Sequence, residues 1–196
     1  MKMKNQIKVV VSALAVIGLQ AYGQNLVQNP GFETGDLTDW SATGNLSPAG
    51  VSTSFDGYVP NSGSYFYYFG QVTTEGYLSQ TIDTVPGDSY DFSFWMAGNG
   101  TGPSYLQAAW DGATIFDTGD PIAEQPYTLY SFDETATGPT TTIQFTVRND
   151  PSYDALDDVS VIDQGPATAS APDAASTLGL LGVAMAGLAG LRRKLA

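Results

Sequence analysis

Cysteine and histidine are absent from all 196 residues. The first absence removes disulfides as a source of stability. Together the two remove the common soft-metal ligands and the thiol and imidazole groups of most nucleophilic and acid–base catalysis. Basic residues are nearly as scarce. Of seven, Lys2, Lys4 and Lys8 stand at the start and Arg192, Arg193 and Lys194 at the end, which leaves Arg148 alone between residues 24 and 170. That stretch holds 19 of the 20 acids, a formal charge of −18. Nucleic acid and anionic lipid surfaces are therefore excluded as its partners, since both need a basic face, whereas cations are attracted. Long helical periodicity is missing between residues 25 and 165, which argues against bundles and α/β folds.

The basic residues and the long apolar runs sit together at the two ends. Lys2, Lys4 and Lys8 precede the apolar stretch Val9 to Leu19, and Ala21-Tyr22-Gly23 supplies small residues for cleavage. Residues 1–23 are thus expected to be a signal peptide, leaving Gln24 as the first mature residue. At the other end Pro172-Asp173 leads into the uncharged stretch Ala174 to Leu191, followed by Arg192-Arg193-Lys194. Eighteen residues of helix span about 27 Å, a marginal length for the hydrocarbon core. This tripartite layout resembles the PEP-CTERM type of sorting signal, in the variant headed Val-Pro-Asp-Ser-Gly. Pro172, Asp173, Arg192 and Arg193 carry the resemblance, while alanines stand where that motif has its valine, serine and glycine. It implies an exosortase-like membrane protease as a partner and delivery to the cell surface or extracellular matrix. The alternative is an ordinary C-terminal tail anchor. In both cases the terminal basic residues stay in the cytoplasm and the bulk of the chain lies outside.

Between the ends, short alternating runs recur between turn-forming residues. Tyr90, Phe92, Phe94 and Met96 share one face of a strand, with Asp91, Ser93 and Trp95 on the other; Ile143, Phe145 and Val147, then Val159 and Val161, repeat the pattern. Pro86-Gly87-Asp88, Asp111-Gly112 and Thr137-Gly138-Pro139 supply turns. About nine strands in two packed antiparallel sheets are expected: an all-β sandwich over residues 24–163. A linker with the sorting motif then covers 164–173, a transmembrane helix 174–191 and a basic tail 192–196.

Two segments narrow the fold. The opening Asn25-Leu26-Val27-Gln28-Asn29-Pro30-Gly31-Phe32-Glu33 and the closing Asp157-Asp158-Val159-Ser160-Val161 resemble the first and last strands of galactose-binding-like jelly rolls, which include many carbohydrate-binding modules. The resemblance covers about residues 25 to 163. It implies neighbouring first and last strands and a structural calcium ion held by Glu33 and Asp158, or by Asp157 in its place, with oxygens from Asn61 to Ser64. Carboxylates and carbonyls are the ligands calcium prefers. A second acidic run, Asn149 to Asp154, lacks the glycine and terminal glutamate of an EF-hand and reads as a solvated loop leading into the last strand.

The remaining chemistry is aromatic. All three tryptophans and ten of eleven tyrosines lie between residues 24 and 170. Flat rings stack on sugar faces, and nearby amides and carboxylates bond hydroxyls. By parity Trp95 leads the candidates for an exposed platform, followed by Tyr68, Tyr105 and Tyr130; Trp40 and Trp110 are expected inside. Ordinary sandwich packing is the competing account of each ring. Catalysis would have to rest on a carboxylate pair, and no pair is marked by its sequence context. The expectation is a non-catalytic module that binds extracellular polysaccharide. The alternative is a structural envelope or biofilm-matrix protein without a small ligand.

Overall fold

The computed structural model describes residues 23–167. The signal peptide, the Pro172-Asp173 motif, the apolar segment and the basic tail expected at the ends lie outside the described residues. Within them, no helix is long and apolar enough to cross a membrane.

Ten strands form two five-stranded sheets: β1 (Ser41–Gly44), β2 (Ala49–Ser52), β3 (Phe66–Phe69), β4 (Gly76–Asp83), β5 (Asp88–Gly98), β6 (Ser104–Trp110), β7 (Ala113–Asp117), β8 (Gln125–Thr135), β9 (Thr140–Asn149) and β10 (Asp154–Pro166). The first sheet has the order β1-β4-β9-β6-β7 and the second β2-β3-β10-β5-β8, with every pairing antiparallel. This is the expected jelly-roll sandwich. Each sheet buries one face against the other, so alternate residues of the central strands are fully enclosed. Tyr90, Phe92, Phe94 and Met96 of β5 face Ile143, Phe145 and Val147 of β9 in one aromatic core that includes Trp40 and Trp110. Phe94 and Phe145 meet edge to face, with centroids 5.0 Å apart. The predicted turns connect strands. Asp111-Gly112 is a two-residue hairpin with positive φ at both positions (48° and 83°), the combination that matches strand twist.

Two details differ from the sequence reading. β10 continues to Pro166 and pairs with β5 through Gly165↔Ser89 and Pro166↔Asp88, three residues into the expected linker. The run Asn149 to Asp154 is a partly exposed loop leading into β10, as expected, but its two ends are anchored inside. Asn149 and Asp154 are both fully buried; Asn149 Nδ2 donates to Asp154 Oδ2 at 2.7 Å, and the Asn99 N–H donates to Asp154 Oδ1 at 3.0 Å.

Burial pushes the Asp154 carboxyl up to about 6, against the opposing pull of its hydrogen bonds. The folded chain therefore keeps this proton to higher pH than the unfolded chain, which releases it near 3.9. Between those values the native state binds more protons, so stability falls as pH rises through the window. In EDTA, lowering the pH from 7 to 5 is expected to raise stability, with about 1 kcal/mol of the gain coming from Asp154 and lost in Asp154→Asn. Thermal melts at the two pH values check this; a lower Tm at pH 5 would contradict it.

Candidate functional site

Two features stand out: the outer face of the first sheet, and the corner where the opening segment meets β10. On the outer face, strand alternation sends Tyr77 of β4, Tyr105 and Gln107 of β6, Thr146 and Arg148 of β9 and Asp117 of β7 away from the core. The register joins them as Tyr77↔Thr146↔Gln107↔Asp117 and Tyr105↔Arg148. Glu75, just before β4, ties the two tyrosines together. The Tyr77 hydroxyl donates to its Oε2 at 2.7 Å and the Tyr105 hydroxyl donates to its Oε1. These two bonds hold the Glu75 carboxyl below its ordinary range, while burial and then Glu75 push the Tyr105 phenol up. Arg148 lies 3.7 Å from Asp150. Gln107 Nε2 donates to Asp117 Oδ2 at 2.8 Å, which leaves the amide oxygen of Gln107 without that partner. A depression of about 230 Å³ opens beside Tyr105, lined by Gln107, Asp117, Gly119 and Asp120. Rings fixed at their hydroxyls and surrounded by amide, carboxylate and guanidinium groups can stack on and bond a polyol.

The corner is built by unusual backbone. Asn29 and Phe32 have positive φ (49° and 58°); Phe32 enters the core and Glu33 is carried outward to the 61–64 loop. β10 bulges between Asp157 and Ser160, with Asp158 also at positive φ (48°), and Val159 N–H donates to Pro30 O. Such strain persists where surrounding contacts fix it. Three acids gather here. Glu33 accepts from the backbone N–H of Ser64 and Tyr65, fully buried Asp157 from those of Asn61, Ser62 and Asp158, and Asp158 from Asn61 Nδ2 and Ser62 Oγ, both at 2.7 Å. Gly63 keeps the backbone close, since a Cβ there would overlap Glu33, whereas one on Gly31 would sit at ordinary contact distance, 3.4 Å from Asp158 Oδ1 and 3.6 Å from Asp157 Oδ1. Burial, then Asp158, raises the Asp157 carboxyl to about 7. Among the described residues no three acidic side chains close into a metal cage on their own. The donors are hard oxygens, the set calcium takes, with no nitrogen or sulfur ligand for a softer metal.

Residues 24–152 match the family described as carbohydrate binding domain. The chain belongs to that family. No curated protein matches this carbohydrate-binding domain. Solved structures share its fold. TmCBM61, determined with β-1,4-galactotriose, is 19% identical, and the alignment covers 72% of this chain and 100% of that one at a TM-score of 0.56. The CBM22-1 xylan-binding domain of Xyn10C from Paenibacillus barcinonensis is 13% identical, covering 74% and 97% at 0.52. A cyclase from Fischerella, in complex with an indolyl butanone, is 17% identical, covering 72% and 98% at 0.53.

In this carbohydrate-binding domain the aromatics singled out by parity are not brought together. Tyr105 lies on the outer face of the first sheet, whereas Trp95 and Tyr68 lie on the outer face of the second. Tyr68 is covered by Phe55, stacked at 3.9 Å. Tyr130 turns inward, stacking on Phe94 at 5.7 Å and packing 4.6 Å from Phe116. Its strand is a sheet edge, and the residue of opposite phase, Leu129, points out at 50% exposure. Trp40 and Trp110 are buried, as expected. Glu33, Asp157 and Asp158 do share one corner. Sequence reasoning passed over Tyr77, Glu75, Gln107 and Arg148. Tyr77 alternates with core Leu78, and Arg148 is the single base of the stretch, so both carried a usable signal.

Proposed function

We propose that this domain is a non-catalytic module that grips a neutral polysaccharide on the outer face of its first sheet. The observation that carries this reading is the pair of tyrosines fixed by Glu75 beside Gln107 and Arg148. Because Glu75 occupies both phenol hydroxyls, the rings serve as stacking surfaces. Gln107, Thr146 and Arg148 supply polar contacts on the register beside them. The acidic surroundings disfavour anionic glycans. Calcium, held by Glu33, Asp157 and Asp158 with oxygens of the 61–64 loop, braces the opening segment against β10 and takes no part in binding chemistry. The expected signal peptide and the PEP-CTERM-like tail support delivery to the cell surface or extracellular matrix, with an exosortase-like protease as the processing partner.

Affinity electrophoresis through a panel of polysaccharides tests the binding reading. Retardation by at least one neutral glycan is expected, with Tyr105→Ala weakening it by about tenfold or more, the loss typical of a central aromatic anchor. A folded protein retarded by none would favour a structural envelope or matrix protein. The charge of −18 suits that second reading, because calcium could associate such molecules.

A further inference from the structure

We propose that the outer face of the second sheet carries a separate glycan platform centred on Trp95, so that one domain holds two polysaccharide strands. The class of ligand rests on the reading above, while the second site rests on its own residues. A small hairpin covers one half of this face. Phe55 and Tyr58 bridge through backbone hydrogen bonds across the turn Asp56-Gly57 and pack over Phe66, Ala97 and Ala155. Beyond that wall the face opens toward β8, while Asp157 on the β10 side is buried against the 61–64 loop. Trp95 pairs with exposed Leu129 on one side and Asp157 on the other, and the next rows along the strands are Ser93↔Ser131 and Asp91↔Asp133.

Trp95 differs from its two counterparts. Trp40 and Trp110 donate their indole N–H to backbone carbonyls, at 3.1 and 3.3 Å, from inside the core. Trp95 is partly exposed, and its indole N–H has no partner among the described residues and is not among the buried groups left unsatisfied. It therefore offers water both an apolar ring and an unused donor. The rows beside it present hydroxyls and carboxylates, with Ser131 Oγ donating to Asp91 Oδ1 at 2.6 Å. From Trp95 to Asp91 the strip is about 14 Å long at the rise of a strand. An aromatic floor followed by acceptors suits a polyol whose hydroxyls donate.

Charge decides between occupants. Asp91 and Asp133 belong to the open part of this face and no basic residue does. A second copy of a domain charged −18 would set acid against acid, and an anionic glycan would meet the same repulsion. A neutral glycan strand avoids both. The two platforms lie on opposite faces of the sandwich, so a single strand cannot lie across both. Occupied together, they cross-link separate strands.

The test uses the mature protein, Trp95→Ala, Tyr105→Ala and the surface variant Leu129→Gln, each confirmed folded by its melt. Titration calorimetry with an oligosaccharide of whichever neutral polysaccharide retards the protein gives stoichiometry, and turbidity of the soluble polysaccharide gives cross-linking. Two sites in the native protein are expected, and one in Trp95→Ala. Turbidity is expected to vanish in either alanine variant, and Leu129→Gln to weaken the second site. One site, with Trp95→Ala indistinguishable from native, overturns the second platform and leaves the first-face reading standing. Binding that survives Tyr105→Ala and is lost in Trp95→Ala keeps the Trp95 platform and overturns the first-face assignment. No binding by the folded native protein overturns both.

Discussion

Adding millimolar calcium to metal-stripped protein at pH 7.5 is expected to raise its Tm by about 5–10 °C, and Asp158→Asn to abolish most of that gain. The corner beside Gly31 concentrates three carboxylates, and the one basic residue between 24 and 170, Arg148, is engaged by Asp150 instead. Backbone N–H groups of the 61–64 loop satisfy part of the acceptor capacity but none of the charge. Burial, and then the neighbouring Asp158 charge, is why the Asp157 carboxyl rises to about 7. A divalent ion reverses that cost and favours the ionised form. An ion present at about a hundred times its Kd adds about 2.7 kcal/mol of stability, and each kcal/mol moves the Tm of a domain this size by about 2–4 °C. The gain should grow with pH across neutrality, because Asp157 must lose its proton to bind the ion. Scanning calorimetry with calcium and with EDTA settles it. Identical melts in the two buffers would remove calcium from this account.

Phe94→Ala is expected to cost about 4 kcal/mol, at the centre of the range for deleting a buried phenylalanine. Phe94 has no exposed surface, and its ring meets Phe92, Phe116, Tyr130, Phe132 and Phe145 at centroid distances between 5.0 and 6.3 Å. These partners belong to β5, β7, β8 and β9, in both sheets, so the vacated space cannot close by shifting one strand. Denaturant melts give the number directly. A loss below about 1 kcal/mol would mean that the core relaxes around the gap and that the aromatic packing contributes little.

Much of the architecture was legible because the central strands see the core on one face only. In β5 and β9 that one-sided burial writes a period of two into Tyr90 to Met96 and Thr141 to Val147. Edge strands and bulges obscure the pattern. In β8 both faces are partly wet, and the phase of Leu129 and Tyr130 can be read either way until the partner strand is known. In β10 the extra residue at Asp158 moves Val159 onto the core side, so parity counted from Leu156 misplaces everything beyond it. The acidic corner could be named from the two ends of the chain because each half carries its own local motif. The tyrosine face could not. Tyr77 and Tyr105 are joined through Glu75 and separated by β9, a strand that enters the sequence only at residue 140. Asn149 and Asp154 misled for another reason, since two polar side chains that satisfy each other can be buried where their composition suggests solvent.

Asn25 donates to the carbonyl of Val159 and accepts from the N–H of Val161, so a residue near the beginning of the fold is held by partners 134 and 136 positions later. A chain emerging from its N-terminus must carry this end unpaired until almost the whole domain has appeared. Closure of the jelly roll is thus expected to come late and to be slowed by the distance between its contacts. Until β10 is in place, β3 and β5 have no neighbour between them, and the half-made sheet presents open edges to other chains. The dense negative charge, spread through residues 24–170, is then a protection against aggregation as well as a surface property of the finished domain.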